Sequence, residues 1–181
     1  MKIIRGDLKG RNILCLPDIR PVSTRVKKSC FDIIIELLPE ARVLDLFAGS
    51  GSLGLEALSC DAQDVVFIDA QKSCVDAIKK NLLSFNEHRG QVYLKDVFIA
   101  IRDLCLGGKK FDVIFIDPPY YKGLFIKTLQ TLEEHDILSP SGYIIGFCYA
   151  KDAFLKESRD FLLVEQRKYG QTQLIIYKKH E

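Results

Sequence analysis

From Arg42 to Phe147 the chain alternates short apolar, β-rich runs with segments of helical spacing, and this alternation limits what it can fold into more than any other feature. The β-rich runs are Arg42 to Phe47, Asp64 to Asp69, Gln91 to Lys95, Phe111 to Asp117 and Tyr143 to Phe147. Between them lie helical runs at Ser52 to Ser59, Lys72 to Phe85, Val97 to Leu106 and Gly123 to Glu133. Strands separated by helices cannot pair as tight hairpins, so the pattern predicts an α/β fold with a mostly parallel sheet and right-handed crossovers. The end of the chain differs: Phe161 to Tyr169 and Gln173 to Lys178 are divided only by Gly170 and Gln171, which predicts an antiparallel C-terminal hairpin on the sheet edge.

Ahead of the alternation, Ser23 to Leu38 places Val26, Cys30, Ile33, Ile34, Leu37 and Leu38 on one helical face. Ser23 or Thr24 serves as N-cap and Pro39 ends the helix. With two glycine-marked turns before it, this helix completes an N-terminal extension, residues 1–40, joined to a core, 41–181, that is expected to fold as a unit.

At 181 residues, with 48% hydrophobic and 28% charged side chains, the chain has the size and mix of one globular domain, which excludes disordered and fibrous classes. No apolar run approaches the roughly 18 residues that a membrane-spanning helix requires. Lys2, Arg5, Asp7, Lys9 and Arg11 deny the N-terminus the apolar centre of a secretory signal, so a cytoplasmic location is expected. Six cysteines, at 15, 30, 60, 74, 105 and 148, form no CxxC pair and have no histidine at zinc-ligand spacing. Reduced thiols and no metal are the expectation, and His88, His135 and His180 pair with no nucleophile. The net charge of +2 hides an asymmetry: residues 1–30 carry eight Lys or Arg against Asp7 and Asp18, whereas the remainder is net −4. Such an arm suits a polyanionic partner, although a solvated basic face has the same composition.

Two motifs carry chemistry. Asp45-Leu46-Phe47-Ala48-Gly49-Ser50-Gly51-Ser52-Leu53-Gly54 joins the first core strand to its helix and places Gly49, Gly51 and Gly54 in a G-x-G-x-x-G pattern. Asp69, at the end of the second strand, is spaced to grip ribose hydroxyls, which fits NAD as well as S-adenosylmethionine. Asp45 shifts the balance, because an acid facing a pyrophosphate in a desolvated cleft is costly, whereas the methyl donor is cationic. Asp96, after the third strand, suits an adenine contact or a helix N-cap equally.

The second motif, Asp117-Pro118-Pro119-Tyr120, follows a nearly continuous apolar strand. Two prolines remove backbone donors and bias Asp117 towards an extended conformation, leaving a strand end lined with acceptors. An exocyclic amine on a nucleobase is a poor nucleophile because its lone pair is delocalised into the ring. Acceptors on its two hydrogens, the Asp117 carboxylate and Pro118 carbonyl, oppose that delocalisation, and Tyr120 offers a ring for stacking the base.

On these residues the sequence resembles class I S-adenosylmethionine-dependent methyltransferases that modify exocyclic amines, and more narrowly the RsmD-type small-subunit ribosomal RNA guanine-N(2) methyltransferases. The narrower resemblance rests on Arg5-Gly6 with Lys9-Gly10-Arg11, on Arg20-Pro21 to Phe31, on Val43 to Leu58 and on Asp117 to Tyr120. It implies a Rossmann-like, seven-stranded sheet and catalysis at Asp117, Pro118, Pro119 and Tyr120. It further implies a cofactor cleft at Asp45, Phe47, Gly49, Gly51, Asp69, Asp96 and Asp117, and contacts to ribosomal RNA from Arg5, Lys9, Arg11, Arg20 and Arg25. The expected protein is a monomer acting on ribosomal RNA or a small-subunit assembly particle. The chain departs from the family pattern at Val22, where Thr is common, at Lys28, where Glu is common, and at Asp61, where glycine is frequent. The competing readings are an adenine amino-methyltransferase, an NAD-dependent oxidoreductase and a non-catalytic RNA-binding assembly factor.

Overall fold

The computed structural model describes residues 1–17, 19, 22–120, 123–151 and 158–180. The strands are β1 (Arg42–Leu46), β2 (Asp64–Asp69), β3 (Gly90–Leu94), β4 (Phe111–Ile116), β5 (Leu138–Tyr149), β6 (Phe161–Tyr169) and β7 (Thr172–Lys179). The helices are α1 (Thr24–Ile34), α2 (Ser52–Ser59), α3 (Lys72–Phe85), α4 (Val97–Leu106) and α5 (Leu124–Glu134). Among the described residues these strands form one sheet in the order β3-β2-β1-β4-β5-β7-β6. Strands β1 to β5 pair in parallel, and β7 runs antiparallel between β5 and β6.

Strand side chains alternate between faces with period two, and each face has its own apolar cluster. Val43, Val65, Phe67, Val113 and Phe115 face one side with α1 and α2, whereas Leu44, Val66, Ile68, Ile114 and Ile116 face the other with α4 and α5. Residues on the central strands are buried on both faces, which is why these runs read as continuously apolar.

The sequence-based boundaries hold for most elements, and the differences have local causes. The Ser23 hydroxyl accepts from the amide of Val26 and caps α1, but the α-helix stops at Ile34 and tightens into a 3-10 turn at Ile35–Leu37. The sequence places the fifth strand at Tyr143 to Phe147, yet β5 begins at Leu138 and carries Pro140, Ser141 and Gly142 as a bulge. The register steps there from Phe111 opposite Leu138 to Val113 opposite Tyr143, and Ser141 takes a positive φ of 58°. Asp61 sits at φ 66°, the left-handed region in which glycine costs least.

The N-terminal extension packs into the core. Ile3, Ile13, Val26, Cys30 and Phe31 are buried in the same cluster as Val43, Leu55 and Phe115. Its deepest tie is ionic: Lys27 and Glu56, both fully buried, form a 2.7 Å pair between α1 and α2. Lys27 Nζ also donates to the carbonyl of Lys2 and to Ser52 Oγ, each at 3.2 Å. Glu56 Oε1 accepts from the amides of Ile4 at 2.8 Å and Arg5 at 2.7 Å.

Removing one member of such a pair strands the other charge away from water, a loss of about 3–5 kcal/mol, whereas removing both charges costs far less. Lys27→Met is therefore expected to lower unfolding stability by that amount in urea titrations. The double variant Lys27→Met with Glu56→Gln, which keeps an acceptor for Ile4 and Arg5, should recover most of the loss.

Candidate active site

The sheet order reverses between β1 and β4: β1 continues to β2 on one side and meets β4 on the other. In a parallel sheet the crevice at this switch point, outside the carboxyl ends of the strands, is where ligands bind. Here it holds a cavity of about 590 Å³, within the range of small-molecule sites. Its walls include Asp45, Phe47, Gly49 and Ser50 after β1, Asp69 and Gln71 after β2, Asp96 and Val97 after β3, and Asp117 to Tyr120 after β4.

The loop after β1 is held in an unusual conformation. Phe47, Gly49 and Gly51 have φ of 59°, 56° and 79°, and the half-buried Phe47 is not glycine, so its backbone is strained where it meets the cavity. Gly54 serves packing instead: a Cβ there would lie 2.3 Å from Phe67 Cε1, so α2 could not lie against β2 with any other residue in its place.

Asp45 is 1% exposed, and its Oδ2 accepts from the amide of Gly54 at 2.9 Å in the first turn of α2. Its Oδ1 is buried with no hydrogen-bond partner among the described residues. Loss of water pushes the Asp45 carboxyl up to about 7, against the lowering effect of the Gly54 amide and with a further push from Asp69. Asp117, half-buried at the end of β4, rises to about 8 through loss of water and the proximity of Asp45. Two carboxyls raised in this way mark a site adapted to a cation or to a proton.

Asp69 braces the glycine loop. Its Oδ2 accepts from the amide of Gly49 and its Oδ1 from that of Gln71, both at 2.8 Å, which leaves one lone pair on each oxygen for a ligand hydroxyl. Asp96 caps α4 through Oδ1, accepting from Phe98 at 2.9 Å and Ile99 at 3.2 Å, while still lining the cavity. The capping role read from sequence is thus observed, and the same side chain borders the cavity.

The structure thus brings together Asp45, Phe47, Gly49, Asp69, Asp96, Asp117, Pro118, Pro119 and Tyr120, with Gly51 directly behind the loop. The basic arm residues lie elsewhere. Arg5 and Lys9 line a separate, shallower cavity, and Arg5 is ion-paired with Asp32. Arg11 donates to the carbonyl of Ser84 at 2.6 Å and stacks over Phe85, and Arg25 is exposed on the first turn of α1. Arg20 falls outside the described residues. Of the eight basic residues in the first thirty, Lys27 is sequestered by Glu56, so part of the apparent positive charge never reaches the surface.

The cavity wall also holds residues that the sequence did not single out, and Asn81, which the sequence leaves open between a late-helix polar residue and part of the cofactor-side surface, bonds to Ser50 of that wall. Ile19 and Val22 of the arm line the cavity, and Ile19 Cγ2 would lie 3.2 Å from a Cβ on Gly49. Asn81, 2% exposed on α3, clamps this segment down: its Oδ1 accepts from the amide of Leu14, and its Nδ2 donates to the carbonyls of Leu14 and Ser50. The arm's spaced apolar residues were the available signal, and they were overshadowed by its charge.

The family described as Conserved hypothetical protein 95 matches residues 1–178. The protein named ribosomal RNA small subunit methyltransferase D in Buchnera aphidicola (subspecies Acyrthosiphon pisum) is 33% identical over 78% of this chain and 74% of its own length. That of the same name in Haemophilus influenzae is 30% identical over 98% of this chain and 93% of its own length. Among solved structures, a hypothetical protein of Thermus thermophilus superposes with a TM-score of 0.85 at 26% identity, covering 97% of this chain and 98% of that one. The chain belongs to the Conserved hypothetical protein 95 family, the RsmD-type methyltransferases whose motifs it carries.

Proposed function

We propose that this protein transfers a methyl group from S-adenosylmethionine to the exocyclic N2 amine of a guanine in small-subunit (16S) ribosomal RNA. The observation that carries this reading is the meeting of Asp45 and Asp117 at the ends of adjacent strands, over one cavity with Pro118 and Tyr120. The relatives' names supply ribosomal RNA as the substrate class.

S-adenosylmethionine is the cofactor, and when bound it would supply a methyl group from a cationic sulfonium, the sulfur keeping the electron pair of the broken carbon–sulfur bond and leaving as a neutral thioether. The residues present fit it. The buried, unpartnered Asp45 Oδ1 accepts an ammonium or a bridging water, whereas a pyrophosphate there would face an acid. Asp69 receives ribose hydroxyls on its remaining lone pairs, Asp96 borders the adenine end, and Phe47, Gly49 and Gly51 shape the loop around the donor. Ile19 and Val22 keep water from this cleft.

At the acceptor end, the Asp117 carboxylate and Pro118 carbonyl receive the two amine hydrogens, Pro119 fixes the turn and Tyr120 stacks the base. As the new N–C bond forms, one amine proton passes to an Asp117 carboxylate oxygen, a transfer favoured by the raised affinity of that group for protons. Positioning supplies much of the remaining acceleration. Residues 41–181 constitute the transferase domain in this reading, and residues 1–40 are the RNA-contacting extension through Lys9, Arg11, Arg20 and Arg25, with Arg5 supporting the arm.

Asp117→Ala should lower turnover by at least about a hundredfold with S-adenosylmethionine affinity largely kept, measured as label transferred to small-subunit RNA lacking the modification. Recovery of the label in N(2)-methylguanosine is the expected result; label in adenosine would overturn the base assignment. Unimpaired turnover in Asp117→Ala would overturn the mechanism.

Aspartates in the unfolded chain titrate near 4, so between about pH 4 and pH 8 the ligand-free folded protein holds protons on Asp45 and Asp117 that the unfolded chain has released. Thermal stability should therefore fall as pH rises through this window, and Asp45→Asn should flatten the descent. A cationic ligand favours the ionised acids, so S-adenosylmethionine affinity should rise over the same window, with proton release detectable by calorimetry in buffers of different ionisation enthalpy.

Each phosphate contact releases counterions, so replacing the exposed Lys9 and Arg25 by Ala should weaken RNA binding and reduce the slope of log affinity against log salt by about one to two. An unchanged slope would remove these residues from the RNA contact.

A further inference from the structure

Tyr120 is the one aromatic side chain of the Asp117 to Tyr120 segment, and it is fixed from outside that segment. Its hydroxyl lies 3.0 Å from Thr172 Oγ1, on the first residue of β7. Its ring lies 5.9 Å from that of Tyr149, centroid to centroid, at an interplanar angle of 41°. Tyr149 ends β5, and Tyr149 and Thr172 are direct partners across the antiparallel β5–β7 ladder. Two residues distant in sequence thus form one cross-strand pair, one holding the tip of the phenol and the other its ring.

The pair itself sits on a braced frame. The amide of Ala150 donates to the carbonyl of Gln171 at 2.7 Å, and Gln173 Nε2 donates to the carbonyl of Ala150 at 2.8 Å. Gln166 Nε2 on β6 in turn donates to Gln173 Oε1 at 2.8 Å. The hydrogen bonds therefore run from the edge strand through Gln173 to Ala150 and Gln171, the chain neighbours of Tyr149 and Thr172.

We propose that Thr172, held opposite Tyr149, is a positioning residue for the acceptor base: it fixes the plane of the Tyr120 ring on which a purine extruded from RNA is stacked. This rests on the methyl-transfer reading of the same site. A tyrosine side chain has two torsions; anchoring its hydroxyl and one flank leaves a platform that loses little freedom when a base lands on it. The ring plane sets the angle at which the exocyclic amine reaches Asp117 and Pro118, so the effect belongs to the chemical step and not to phosphate-dominated RNA affinity.

The test compares Thr172→Val, which removes the hydroxyl, Thr172→Ser, which keeps it, and Tyr120→Phe, which breaks the same contact from the other side. Single-turnover methylation at saturating RNA and S-adenosylmethionine should slow about three- to tenfold in Thr172→Val and in Tyr120→Phe, the range that one hydrogen bond supports. Thr172→Ser should restore the rate, and the double variant Thr172→Val with Tyr120→Phe should be no slower than either single one. Dissociation constants for RNA and for S-adenosylmethionine should stay within twofold of the parent.

A parent-like rate in Thr172→Val, additive losses in the double variant, or a matching loss of S-adenosylmethionine affinity would each overturn the proposal. A second readout is independent of methyl transfer: quenching of 2-aminopurine riboside, a fluorescent purine dimmed by stacking, on the protein saturated with S-adenosylhomocysteine. Quenching that weakens in Thr172→Val and returns in Thr172→Ser supports the platform even if no methyl group reaches RNA, a result that would sink the proposed reaction alone. Absence of quenching with the parent protein would overturn the platform whatever the methylation result.

Discussion

The parallel pairing of β1 with β4 is the constraint on which the rest of this site depends. It sets Asp45 beside Phe115 and Leu46 beside Ile116, so Asp45, the penultimate residue of β1, and Asp117, the first residue past β4, meet at a crevice that the crossovers cannot cover. Neither acid is comfortable there. Asp45 surrenders one oxygen to the Gly54 amide and keeps the other without a partner among the described residues, and Asp117 is raised by losing water and by Asp45 itself. The fold tolerates this electrostatic tension at one point while burying continuous apolar strands around it. In the methyl-transfer reading, a cationic ligand would relieve the same tension.

The N-terminal extension performs two tasks that its composition mixes together. Charge on its exposed residues, Lys9, Arg11, Arg25 and Lys28, faces solvent, while its apolar residues and Lys27 are part of the core. Glu56 receives Lys27 and two arm amides at once, and Asn81 ties Leu14 to the carbonyl of Ser50 in the glycine loop. The segment between these two clamps carries Ile19 and Val22 onto the cavity wall. The cavity is therefore completed by the same stretch of chain that carries the basic surface.

Local signals made much of the architecture readable. α2, β2, α3, α4 and β6 begin and end where hydrophobic period and capping chemistry place them. The cavity lining around Asp45, Gly49, Asp69, Asp96 and Asp117 follows from one rule, that strand ends in a parallel sheet share an edge. What local signals cannot carry is pairing at a distance. Nothing near Lys27 marks it as buried, because the cause is Glu56, and nothing near Thr172 marks it, because the cause is Tyr120 on another strand connection. The bulge at Pro140 to Gly142 was hidden for the same reason: three breaker residues end a strand unless a neighbour pairs on both sides of them, as Phe111 and Val113 of β4 do with Leu138 and Tyr143.

The place of β7 in the sheet has a consequence for the order in which the molecule comes into being. A ribosome delivers β1 to β5 first, and these already contain the glycine loop, Asp69, Asp96 and the Asp117 to Tyr120 turn. β6 must then wait, because its only route to the sheet is through β7, which is made after it and inserts between it and β5. Until that final strand is made, the chain holds the acids and glycines of the cavity but not Thr172, which meets the Tyr120 hydroxyl. That strand also carries Leu174, Ile175, Ile176 and Tyr177 into the core on both faces of the sheet, so closing the sheet and setting Thr172 against Tyr120 are one event.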